Sequence, residues 1–247
     1  MKWFLILAMI STLTLRAGDF NTIVLEQVRS MPLGGGYAIT SDAHAALNSA
    51  VTMTPEGVKI KADTAMPSYC SGATYLVFLK SLAAAQKRGT LNLSEDCWKK
   101  LLPSRDPDGV GIWGRWNANG PGTARLFHEL KLGRNFTSFE EALPGDFLKI
   151  FWTDAVGKKE HGHSVVFLGL EKKDGVEHVK FWSSNKPAGY GEKSVPRSKV
   201  ARALFSRIEN PENTSFVLKI PNRDGYLASL LTTECSFSEA LQKTGAR

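Results

Sequence analysis

Cysteine is scarce in this chain: 247 residues carry only Cys70, Cys97 and Cys235, and an odd number excludes a fully paired disulfide framework. Zinc-finger spacing, a phosphate loop and the aromatic signature of an RNA-binding sheet are all missing. Lysine and arginine outnumber acidic residues by 31 to 24, for a formal charge of +7, yet they are scattered rather than clustered. Nucleic acid is therefore not an expected partner, and a mildly basic protein of this kind suits an anionic envelope surface. Beyond the first residues no apolar run approaches the roughly 20 positions a membrane-spanning helix needs. Repeats and low-complexity inserts are absent too, and no metal or cofactor is expected.

What is present begins with "MKWFLILAMISTLTLRAGDF", a basic start at Lys2, an apolar stretch from Phe4 to Leu15 and a small residue at Ala17. This reads as an export signal over residues 1–17, cleaved near Gly18, with an uncleaved anchor or a buried first helix as the alternative. It implies a secreted or periplasmic protein without stable membrane insertion once the signal is removed. With 43% hydrophobic residues the remainder can bury a sizeable core.

Helical apolar spacing in "FNTIVLEQVRSM" and in "SDAHAALNSAV", the latter capped by Ser41, predicts a helical preface over residues 18–60, interrupted by "PLGGG". A helix from Ser71 to Gln86 follows, with Cys70 at its N-terminus, and then "SEDCWKKLL", capped by Ser94 and stopped by Pro103. "SRDPDGVGIWGRWNANGPG" reads as an ordered surface loop. Thereafter "GDFLKIFW", "GHSVVFLGLE" and "VEHVKFWSS" predict an antiparallel sheet of at least three strands, with Asp146 as a turn and strand-start residue. "SKVARALFSRI" reads as a helix and "SFVLKI" as a strand. Helices first and strands afterwards indicate an α+β domain over residues 61–220, with residues 221–247 as a tail packed on it.

Cys70 reads either as a buried helix residue or as a thiol at the positive end of a helix, where the dipole lowers its pKa and its own backbone N–H faces a developing oxyanion. His163, after Gly162 at the mouth of an apolar strand, is the candidate base; His161 is a competitor in a more solvated turn. Asn185 is the first choice to orient the imidazole, because an amide oxygen accepts from a ring N–H, with Ser183 and Ser184 as alternatives. Tyr69 joins Cys70 at the expected oxyanion site. Ser68, Ser71, Trp113, Trp116 and Asn117, with Asn119 nearby, are candidates to line the cleft; the alternative for the tryptophans is a loop pinned to the body. Cys97 and Cys235 either pair or remain free.

"YCSG" at Tyr69–Gly72, "PGDFLKI" at Pro144–Ile150 and "GHSVVFLG" at Gly162–Gly169 resemble the nucleophile, first-strand and histidine-strand motifs of NlpC-like cysteine peptidases. These are papain-fold cell-wall hydrolases, with the CHAP amidases as close relatives. The resemblance spans roughly residues 60 to 190. It implies a papain-like fold, Cys70 as nucleophile, His163 as base, a third member among Ser183, Ser184 and Asn185, and a cell-wall peptide as substrate. Tyr69 stands where the family usually has aspartate, "SSN" where it commonly has histidine, and the stretch between nucleophile and first strand is longer. The expected activity is hydrolysis of an amide through a thioester, with a general cysteine peptidase, a thiol acyltransferase or a non-catalytic envelope-binding module as alternatives.

Overall fold

The computed structural model describes residues 19–247, so the expected leader at 1–17 and its cleavage near Gly18 lie outside the described residues. Phe20, Ile23, Val24 and Val28 recur at helical spacing and form the buried stripe of α1 (Asp19–Arg29). The glycines after it form β1 (Gly34–Gly35). Helix α2 (Ser41–Ser49) is capped by Thr40, whose hydroxyl accepts from the Ala43 N–H, one residue before the expected Ser41. Next comes a hairpin of β2 (Val51–Thr54) and β3 (Gly57–Ile60). The preface expected as helical at 18–60 also contains three strands, and α1 shares the main core.

Helix α3 (Cys70–Lys87) is buried almost all round, as its near-continuous apolar and small residues dictate. The cap Ser94 accepts from the Cys97 N–H and starts α4 (Glu95–Leu101) as expected. The stretch read as a surface loop holds a helix, α5 (Gly111–Asn117), and is followed by α6 (Gly122–Leu130). Strands β4 (Gly133–Phe136), β5 (Phe147–Phe151), β6 (Val156–Gly157), β7 (Gly162–Lys173), β8 (Val176–Asn185), β9 (Gly189–Pro196) and β10 (Arg202–Ile208) come next. The tail adds α7 (Gly225–Ser229), β11 (Glu234–Cys235) and α8 (Phe237–Thr244).

Seven strands form one antiparallel sheet in the order β1-β9-β8-β7-β5-β10-β4. Helices α1, α3 and α6 cover one face, meeting Phe147, Val166 and Trp182. Leu148, Ile150, Val165, Phe167, Phe181 and Phe205 build a second cluster on the other face. Because β10 lies between β5 and β4 with both faces covered, "ARALFSRI" loses strand alternation and imitates a helix, which corrects the expected helix there. "SFVLKI", expected as a strand, lies largely in a 3-10 helix, Pro211–Leu218. In the tail, Ala240 of α8 packs with Ala124, Phe151 and Leu204.

Asp146 is more than a turn residue. Its fully buried carboxylate takes two hydrogen bonds from Arg207, at 2.8 and 2.6 Å, one from the Asn21 amide and one from the Leu143 N–H. Cys97 and Cys235 form no disulfide: Cys97 lies buried beside Ser94, while the Cys235 sulfur sits 3.3 Å from the Tyr226 hydroxyl.

Candidate active site

Extended backbone at Tyr69 (φ −135°, ψ 165°) turns directly into α3, which makes Cys70 the first helical residue. The first helical-ladder bond runs from the Ala73 N–H to the Tyr69 carbonyl, so the N–H groups of Cys70, Ser71 and Gly72 lie ahead of the ladder at the positive end of the helix. The approach is tied down at Ser68, whose carbonyl accepts from the Ala38 N–H and from the Ser184 hydroxyl, each at 3.0 Å. Ser68 is accordingly buried and does not line the cleft as expected.

The candidate base, His163, enters from β7, where it sits opposite Ile150 of β5. Its Nε2 lies 3.1 Å from Asn185 Oδ1. The Asn185 amide nitrogen donates to the carbonyls of Ser183 (3.2 Å) and Gly191 (2.8 Å), so the oxygen must face the ring. An amide oxygen only accepts; Nε2 therefore carries the hydrogen, and Nδ1 is left for the hydrogen bond His163 makes to the Cys70 thiol. Trp152 and Phe181 pack on the ring, with centroids 6.4 and 5.7 Å away. Ser183 and Ser184 do not stand behind the imidazole: their buried hydroxyls donate to the Ser164 and Ser68 carbonyls.

Burial pushes the Cys70 thiol upward, but the hydrogen bond and charge of His163, the Ser164 N–H and the Lys149 ammonium outweigh it and bring the pKa down from 9.0 to about 6. Lys149 is held 2.5 Å from Glu160, whose other oxygen accepts the Gly120 and Gly157 N–H groups. A side chain at Gly162 would strike both members of this ion pair. Gly162 therefore leaves room for this ion pair.

The tryptophans expected in the cleft are core residues. Trp116 Nε1 donates to the Ser71 carbonyl at 3.1 Å, and its ring stacks on Phe78. Trp113 packs on Tyr75, and only its edge borders a recess of about 270 Å³ with His44 and Asn117. Ser71 is also buried, its hydroxyl donating to Asn117 Oδ1 at 2.7 Å. The Asn119 N–H donates to Asp108. Tyr69 is buried with its hydroxyl 2.7 Å from His44 Nδ1, so its side chain points away from the expected oxyanion site, whereas the Cys70 N–H lies there.

A cleft of about 320 Å³ opens beside the His163 ring, bordered also by Tyr37, Trp152, His161, Asn185 and two lysines, Lys186 and Lys193. His161 is exposed and borders this cleft; of the two histidines it is His163 that meets the thiol. Tyr37, Trp152 and Lys149 were not singled out from the sequence; the only local signal was three glycines before Tyr37. Among the described residues there is no cluster of histidine, cysteine and carboxylate suited to a metal, and no helix is long and apolar enough to cross a membrane. Comparison with family models, curated proteins and solved structures gave no match. The arrangement can supply a thiolate nucleophile, a proton carrier beside it and backbone donors at a helix end.

Proposed function

We propose that this protein is an exported cysteine hydrolase with a papain-like architecture, cutting an amide bond in cell-wall peptide. The observation that carries this reading is the chain of hydrogen bonds from Cys70 through His163 to Asn185. The thiolate adds to the amide carbonyl, forming the C–S bond and moving the π pair onto oxygen. The C–N bond then breaks, the leaving amine takes the proton from His163, and a thioester remains. Water, deprotonated by His163, adds to the thioester; the C–S bond breaks and the carboxylic acid leaves. Asn185 holds the ring in the tautomer both steps need, and Trp152 and Phe181 limit its rotation. Lys186 and Lys193, with no ion-pair partner among the described residues, favour a carboxylate-bearing peptide in the cleft.

Digestion of purified muropeptides, with mass spectrometry of the products, tests the reading. A product pair whose masses sum to the substrate plus water is expected. A general peptidase would cut unrelated proteins as readily, and an acyltransferase would yield an adduct of a second nucleophile. Unchanged muropeptides and unmodified Cys70 would remove the hydrolase reading.

A further inference from the structure

Strand alternation puts Lys149 where a charge is costly. Phe147 and Phe151, two residues to either side on β5, are buried on the helix-covered face, Phe147 in the core with α3 and Phe151 against Ala124 of α6 and Ala240 of α8. Lys149 shares that face: its Nζ lies 5.6 Å over the Phe151 ring, and Ser164 of β7 pairs directly opposite. Its side chain is 14% exposed and that of Glu160 3%, so their ion pair is largely closed off from water. The Glu160 carboxylate is fixed from behind by the Gly120 and Gly157 N–H groups. Lys149 also borders a void of about 10 Å³ with Ser164 and Thr74, and the Thr74 hydroxyl donates to the Cys70 carbonyl at 3.1 Å. The Ser164 N–H meets the sulfur itself. The cation thus lies against the first turn of α3, while its carboxylate is held by the α5–α6 link and by β6.

We propose that Lys149 is a positioning residue for the nucleophile: a cation anchored by Glu160 at the first turn of α3, it keeps the Cys70 sulfur ionised whichever protonation state His163 is in. This rests on the cysteine-hydrolase reading. The imidazole gains and loses a proton in each half of that reaction, so its charge is intermittent. The Lys149 ammonium, paired with a carboxylate, takes no part in proton transfer. When the thioester opens, the C–S electron pair returns to sulfur, and the same cation favours its departure. Lys149 is among the groups that lower the Cys70 thiol. The other titratable groups near the sulfur are His163 from β7 and, from the approach to α3, Tyr37 and Tyr69, whose hydroxyls burial holds above their ordinary range. Glu160 and Asp108 are the acids that face Lys149, and burial pushes the Asp108 carboxyl up. A pair present only to staple β5 to the β6 turn would leave the titration of the thiol unmoved.

Alkylation of Cys70 by iodoacetamide against pH reads the ionisation without requiring hydrolysis. Lys149→Met alone would strand the Glu160 carboxylate, so it is combined with Glu160→Gln, which removes both charges at once. The double variant is expected to show an alkylation midpoint about one pH unit higher, with alkylation about five-fold slower at pH 6. At pH 9 it should be no slower than the wild type, because a more basic thiolate is the better nucleophile. Lys149→Gln, whose amide can still donate to Glu160, is a second charge-free variant with the same expectation, and Lys149→Arg is expected to hold the wild-type midpoint. Muropeptide cleavage by the charge-free variants should fall most at pH 6 and least at pH 9. A charge-free variant, folded by circular dichroism, that keeps the wild-type midpoint or alkylates more slowly by the same factor at every pH would overturn the proposal. Wild-type protein that alkylates at Cys70 but leaves muropeptides uncut would instead bring down the hydrolase reading, and with it any role for Lys149 in that reaction.

Discussion

At Cys70 the low-dielectric surroundings oppose ionisation and the neighbours favour it; the neighbours win, which sets the thiolate's range at about pH 6 and above. Alkylation by iodoacetamide should therefore rise as pH passes about 6 and be silenced below it, and Cys70 should react before the buried Cys97 and before Cys235, whose thiol burial pushes up. Peptide mapping of the labelled protein against pH checks both statements. Cys70→Ala should abolish hydrolysis without unfolding the chain, measured by product formation and circular dichroism. His163→Ala removes the strongest lowering influence on the thiol, so the alkylation midpoint should move upward and the hydrolysis rate should fall by about 100- to 10,000-fold. His161→Ala should leave that midpoint in place. Cys70, His163 and Asn185 were legible in the sequence because each sits at an element boundary with its own local signal: helix start, strand mouth, strand end. Tyr37 was not, since nothing local says which way the three glycines before it turn.

Among the elements, α5 supports the start of α3 from behind, with the Trp116 indole N–H on the Ser71 carbonyl one residue from Cys70. Trp116→Ala should destabilise the protein by about 3–5 kcal/mol, read from urea unfolding, since a fully buried ring and two hydrogen bonds are lost together. Ser94→Ala should cost only about 1 kcal/mol, the usual value of an N-cap, because it touches α4 alone. Capping was readable directly, as at Ser94, since it depends on a few adjacent residues. Strand β10 was not, because burial on both faces erases the period-two pattern, and the tryptophans of α5 were ambiguous because a helix in a glycine-rich stretch gives little periodicity.

Across the whole molecule, the Asp146–Arg207 pair joins the start of β5 to β10 and, through Asn21, to α1. Asp146→Ala leaves the Arg207 charge buried without its partner and should destabilise by about 3–5 kcal/mol in denaturant titration. Since all three cysteines are free, thiol titration in denaturant should find three thiols per chain, and a reductant should leave the melting temperature unchanged. From sequence alone came the mixed helix and sheet composition, the antiparallel pairing around "KKDG", the helix with Cys70 at its start and the strand with His163 near its start, all consequences of near-neighbour chemistry. Tertiary structure alone decided that Asn185 rather than Ser183 or Ser184 backs the imidazole, that the tryptophans turn inward, that Lys149 and Glu160 occupy the space beside Gly162, and that Tyr37 from the N-terminal region borders the cleft. Those outcomes depend on which distant segments share a sheet edge or a buried charge, and such pairings leave no periodic trace along the chain.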